Sequence, residues 1–195
     1  MPELRPPERP LTDGIILLRA WRESDASGLA AVLNDSETER WTTTPQPYGP
    51  DDALQWFATH PEAWSTGRSA AMAVIEVSNE RVVGSAELKV SDWSQQVGEV
   101  AYAVGSTDRG KGVATRAVEL LSRWALGQVG LERLELFTHP ENIASQRVAQ
   151  KAGFVREGIA RSARVMRGHR VDLVRFSLIR SDLPGRIVRG PFQSE

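Results

Sequence analysis

Apolar and polar positions alternate with a strand-like period through the middle of the chain. Residues 70–77 and 81–90 are short, β-favouring apolar runs parted by Ser78, Asn79 and Glu80, a pattern that predicts an antiparallel hairpin. A second turn over 91–96 leads into VGEVAYAV, residues 97–104, a third strand. The period then becomes helical, with Val113, Ala117, Leu120, Leu121 and Trp124 on one face until Gly127 and Gly130 end the run. A strand over 131–137 follows, then a short helix capped by Asn142 and closed by Gly153 as its C′ residue, then strands at 154–160 and 171–179. Upstream, residues 15–19 predict a strand, and Ser24 is the expected N-cap of a helix carrying Leu29, Val32 and Leu33. A further helix is expected from Asp51, with Leu54 and Phe57 on one face, until Pro61 interrupts it. TTTPQPYGP lies between these helices as a loop. Antiparallel strands followed by β-α-β-α-β-β imply a mixed α/β (α+β) sheet with helices on its faces.

Composition narrows this picture. A chain of 195 residues with 41% hydrophobic content has enough apolar material for one well-cored domain. Its expected organisation is an N-terminal extension over 1–13, a domain over 14–180 and a tail over 181–195. A net charge of −1 provides no bulk attraction to nucleic acid or to an acidic membrane. The chain has no cysteine, which excludes disulfides, thiolate zinc sites and an acyl-cysteine intermediate. His60, His139 and His169 have no ligand spacing, so no metal is expected. The opening MPELRPPERPL lacks the apolar core of a signal peptide, and no window approaches the ~18 apolar residues of a membrane span. The expectation is a cytoplasmic protein without membrane or nucleic-acid partners.

The chemistry concentrates in GSTDRGKGVATRAV, residues 105–118, for which three glycine-loop readings compete. A nucleotide P-loop fits from Gly105 to Lys111, but Gly112 stands where a Ser or Thr must hold magnesium. A dinucleotide loop fits at Gly110 and Gly112 and fails at Thr115, and the preceding strands read as hairpins rather than a parallel half-fold. All three readings share one physical element. Glycines let the backbone approach a pyrophosphate, and the amides of a helix N-terminus supply partial positive charge to bind it.

In the third reading, Arg109-Gly110-Lys111-Gly112-Val113-Ala114 resembles the R/Q-x-x-G-x-G/A acetyl-CoA loop of the GCN5-related N-acetyltransferase (GNAT) superfamily. Asn142 and Ser145 followed by QRVAQKAGFVREG resemble the N-x-x-S-x-x-V/L-x-x-K-x-G-F-x-x-E-G segment of its RimJ/RimL-like branch, which includes ribosomal-protein N-terminal acetyltransferases. VVGSAEL, GEVAYAV and LRAWRESDASGLAAVL are similar to that branch's third and fourth strands and its opening strand and helix, so the resemblance covers residues 15–179.

The resemblance implies a mostly antiparallel, twisted sheet of six to seven strands, with a parallel pair that splays near Gly105 and helices on both faces. It implies acetyl-CoA as cosubstrate and direct transfer to an amine, in which a neutral amine attacks the thioester and coenzyme A thiolate departs. Backbone amides of Arg109, Gly110, Lys111, Gly112, Val113 and Ala114 would hold the pyrophosphate. The side chains of Arg109 and Lys111 either meet phosphates or are solvated loop charges. The main chain over 100–104 would pair with the pantetheine, and an N–H near Ala103 or Val104 would meet the oxyanion. Asn142 would bond the pantetheine, cap its helix, or both. Ser145 is the candidate donor to the sulfur, against a reading as a plain helix-surface serine.

Glu99, alone among apolar neighbours, is the first candidate for general base, against a reading as a structurally paired glutamate. Where some relatives carry a glutamate, this chain reads IARSARVMRGHRVD. Arg161, Arg164, Arg167 and Arg170 there would suit an acidic acceptor or a succinyl donor. Trp41 and Tyr48, beside the TTTPQPYGP loop, are candidates to line the acceptor groove, as is Trp56, or to staple that loop down. The acceptor stays open between a protein N-terminal α-amine and a small-molecule amine, and a non-catalytic coenzyme A sensor is the alternative from another class. Apolar strands near the C-terminus allow a homodimer.

Overall fold

The computed structural model describes residues 2–183. Its first strands are β1 (Leu11–Thr12) and β2 (Ile16–Ala20), followed by four short helices: α1 (Ala26–Leu33), α2 (Ser36–Trp41), α3 (Pro50–Ala58) and α4 (His60–Ser65). The meander β3 (Ser69–Glu76), β4 (Val82–Asp92) and β5 (Val97–Val104) leads to α5 (Val113–Trp124), β6 (Arg133–Thr138) and α6 (Ile143–Lys151). A long hairpin, β7 (Val155–Met166) and β8 (His169–Ile179), completes the sheet. The strands form one sheet in the order β1-β2-β3-β4-β5-β6-β8-β7, eight rather than six to seven. The additional short strand β1 pairs Leu11 with Leu18.

Neighbouring strands are antiparallel except β5 and β6, and that exception positions the site. The parallel ladder runs only through Val97–Arg133, Gly98–Leu134 and Glu99–Glu135. Beyond Glu99 the strands part, well before Gly105, where the sequence placed the gap. Over residues 100–104 the main-chain groups of β5 that face away from β4 therefore have no ladder partner among the described strands.

Alternation along the strands divides the two faces. Leu88, Val100, Leu134, Leu136, Phe176 and Leu178 are buried against Ala117, Val118, Leu121 and Trp124 of α5 in the main core. A second cluster on the other face joins Leu29 and Val32 of α1 to Tyr48 and Ala53. Below that cluster the sheet carries charge: Arg133 bonds Glu135 at 2.9 Å and Glu157 at 2.7 Å, and Ser177 Oγ donates to Glu157 at 2.7 Å.

Local chemistry departs from expectation at several places. The carboxylate of Asp25, not the hydroxyl of Ser24, accepts the Arg22 N–H at 2.8 Å, and it is held in turn by Arg19 at 2.6 and 2.9 Å. Pro61 opens α4 instead of only ending the helix before it, because a proline in a first turn lacks an N–H that would have no intrahelical acceptor there. The unanticipated α2 is capped by Asp35, which accepts from the N–H groups of Glu37 and Thr38. Residues expected as an N-terminal extension run along the domain, where Leu4 is buried and its N–H donates to the Trp64 carbonyl at 2.9 Å. Residues 184–195 of the expected tail lie outside the described residues.

Candidate active site

The glycine loop joins the parted end of β5 to the first turn of α5. Gly110 and Gly112 both lie in the left-handed region, at φ 76° and 82°, which side chains with a Cβ avoid. A Cβ built on Gly110 meets nothing within 4 Å, and one on Gly112 meets only Arg116 Nε at 4.0 Å, so both glycines face open space. The first turn closes when Arg116 N–H reaches the Gly112 carbonyl at 3.1 Å, leaving the amides of Val113, Ala114 and Thr115 without intrahelical acceptors. Open backbone, glycine geometry and helix-end amides together fit a pyrophosphate.

A buried acid braces this loop from beneath. Asp108 accepts both guanidinium nitrogens of Arg81, at 2.7 and 2.8 Å, and that bonding holds its carboxyl well below the usual carboxylate range. Lys111 Nζ lies 3.1 Å from the same carboxylate on a largely exposed side chain. The Arg109 side chain donates to the Val104 carbonyl at 3.2 Å, Asp35 Oδ2 at 2.7 Å and Thr38 Oγ1 at 3.2 Å.

Across the opening, Asn142 caps α6 by accepting the Ser145 N–H at 3.0 Å, which leaves its side-chain nitrogen as the group a ligand would meet. Ser145 Oγ accepts a hydrogen bond from Tyr102 Oη at 2.9 Å. Tyr102 lies on β5 within the parted stretch, and burial pushes its phenol up to about 12. Sequence reasoning missed this tyrosine. A lone polar tip in an otherwise apolar strand was the available signal, and Glu99 absorbed it.

Glu99 is paired: both carboxylate oxygens lie within 2.9–3.0 Å of Arg164 Nη2. Arg164, read as a cation for an acidic group, therefore faces Glu99, and its guanidinium also sits 5.7 Å from the Phe137 ring. Arg167 and Arg170 donate to the carbonyls of Glu39 and Ser162. Trp41, at the end of α2, packs its ring 5.3 Å from His139 on the β6–α6 loop, and Arg40 beside it pairs with Glu141 at 3.1 Å. Trp41 therefore stands over the passage from β6 to α6. Tyr48 does not line a groove. It is buried in the α1–α3 cluster, and its backbone is gripped by both ends of the Asn34 side chain, so it staples the loop down. Trp56 packs with Trp21, Phe57 and His60, away from the opening.

No helix among the described residues is long and apolar enough to cross a membrane. Among them too, no group of three acidic or histidine side chains is placed to hold a metal ion.

A glycine loop at a helix start thus lies beside a parallel strand pair that parts after Glu99. Residues 16–155 match the acetyltransferase (GNAT) domain, and the chain belongs to that family. It is an acetyl-CoA-dependent acetyltransferase. An uncharacterized N-acetyltransferase, p20, of Bacillus licheniformis is 24% identical over 87% of this chain and 96% of its own. Among solved structures, the ribosomal-protein-S5-alanine acetyltransferase of Vibrio fischeri superposes with a TM-score of 0.79 at 22% identity, covering 90% of this chain and 98% of that one. RimJ of Mycobacterium smegmatis, solved with a CoA-disulfide, superposes at 0.81 with 21% identity, over 91% and 88% of the two chains. These two share the fold.

Proposed function

We propose that the chain acetylates a protein N-terminal α-amine, with the acetyl group passing directly from acetyl-CoA. The observation that carries the coenzyme half of this reading is the pair of left-handed glycines opening α5 beside the unpaired edge of β5, and the pairing of Glu99 with Arg164 carries the choice of acceptor. In this reading the amides of residues 109–114 hold the pyrophosphate, with Lys111 beside it, and β5 pairs its free edge with the pantetheine. The Asn142 amide meets the arm, an N–H near Ala103 or Val104 meets the oxyanion, and Ser145 donates to the departing sulfur.

The pairing of Glu99 favours an α-amine over a lysine. With that carboxylate held by Arg164, the acceptor must arrive largely neutral. At pH 7.5 about a third of an α-amine is unprotonated, against about 0.1% of a lysine amine. Water then suffices to carry the proton away. The named activities of the Vibrio and Mycobacterium neighbours point the same way, by analogy of fold.

The test offers acetyl-CoA with peptides that have a free N-terminus and a lysine, and with the same peptides N-terminally blocked. Acetylation at the free N-terminus, located by mass spectrometry, is expected; modification of lysine alone, or of small amines alone, overturns the reading. A homodimer in this scheme forms across the β7 edge, where Val155, Ile159 and Val165 are exposed, and sedimentation equilibrium tests it.

A further inference from the structure

Ser145 is held at two atoms, its N–H by Asn142 and its Oγ by Tyr102. We propose that Tyr102 is a positioning residue for acyl transfer: by donating to Ser145 Oγ it turns the serine's own proton outward, toward the sulfur of the bound thioester. This rests on the reading of Ser145 as the donor to that sulfur.

A serine hydroxyl carries one proton and two acceptor sites, and left alone its proton rotates among whatever acceptors surround it. When Oγ already accepts from a stronger donor, the serine proton must point elsewhere. A phenol is the stronger donor of the two hydroxyls, which sets the direction of the bond from Tyr102 to Ser145. The backbone half of the arrangement is fixed independently, because the Asn142 cap anchors the first turn of α6. Tyr102 itself is anchored by β5, where its backbone pairs with Ala86, and its ring packs against the main core. The bond thus spans the opening between β5 and α6, where β5 has left β6. Burial keeps the phenol protonated wherever the amine is neutral enough to attack, so Tyr102 stays a donor throughout. No bond to substrate is required of it. The thiolate takes the Ser145 proton, and the proton that the attacking amine loses, carried by water, restores the serine hydroxyl.

The test is steady-state acetyl transfer by the full chain, wild type against Tyr102→Phe, Ser145→Ala and the double variant, with acetyl-CoA affinity measured by calorimetry. Phenylalanine keeps the ring and its packing. Tyr102→Phe is expected to lower kcat roughly three- to tenfold, the worth of one neutral hydrogen bond, with acetyl-CoA affinity unchanged. In the Ser145→Ala background the same substitution is expected to change nothing further, because Tyr102 acts only through that hydroxyl. Full kcat in Tyr102→Phe, an equal loss with and without Ser145, or a loss confined to acetyl-CoA binding each overturns the proposal while leaving the transferase reading intact. Wild-type kcat in Ser145→Ala sinks the reading of Ser145 beneath it and this proposal together.

Discussion

Arg109 Nη2 lies 2.7 Å from Asp35 Oδ2, so the cap of α2 and the glycine loop are tied by one guanidinium. The same side chain holds the end of β5 through the Val104 carbonyl. One side chain of the glycine loop therefore joins that loop to α2 and to the end of β5.

Arg109→Ala is expected to raise KM for acetyl-CoA and for the acceptor together, and to cost about 1–2 kcal/mol of stability from lost charge-assisted hydrogen bonds. Arg109→Lys cannot form all three contacts and falls between. Urea unfolding and two-substrate kinetics check this. A change in acetyl-CoA KM alone, with full stability, would restore the direct phosphate role.

Gly112→Val places a branched Cβ at φ 82°, in the open space that the proposed function gives to the pyrophosphate. The left-handed backbone alone costs about 1–2 kcal/mol. Acetyl-CoA affinity is expected to fall by at least about tenfold, since even one lost charged hydrogen bond is worth that much. Gly168→Val, at φ 80° in the β7–β8 turn, bears the same strain away from the loop and should bind acetyl-CoA normally. Equal affinity in the two variants would contradict the loop assignment.

Glu157 sets an acid-side dependence of stability. Its carboxyl is drawn from 4.5 to about 2, chiefly by the hydrogen bond from Arg133, with Ser177 and Arg175 adding to it. The folded value lies below the unfolded one, so this contribution is complete above pH 4.5 and is lost as pH falls from about 4.5 to 2. Glu157→Gln should be less stable at neutral pH and flatter across that window in urea titrations. An unaltered slope would mean the network contributes nothing.

Glu99→Gln and Arg164→Ala should each lower kcat/KM by the same factor from roughly pH 6.5 to 9, because a carboxylate bound to a guanidinium shapes the acceptor wall rather than taking its proton. A loss confined to low pH in Glu99→Gln would make it the general base after all.

The parts of the fold governed by local pattern were legible. The β3–β4–β5 meander, the start of α5 and the Asn142 cap follow from alternation, helical period and capping chemistry. The two-residue β1 and six-residue α2 carry too few positions for a period to register. At the site, types and spacing identified the loop and Ser145, yet the partners of Arg109, Glu99 and Ser145 lie 74, 65 and 43 residues away. Such contacts exist only once the fold brings the start of α2 to the glycine loop, and α6 and β7 to β5. Tyr48 misled because an aromatic beside a loop looks alike whether it greets a ligand or pins the loop.

The most direct test of the account is a thermal-shift titration with acetyl-CoA, run beside NAD and ATP with magnesium. Saturable stabilisation by acetyl-CoA alone is expected, about 2.7 kcal/mol at a hundredfold excess over Kd. Stabilisation by NAD or ATP instead, with none from acetyl-CoA, would contradict the assignment of residues 105–118 as a coenzyme A loop.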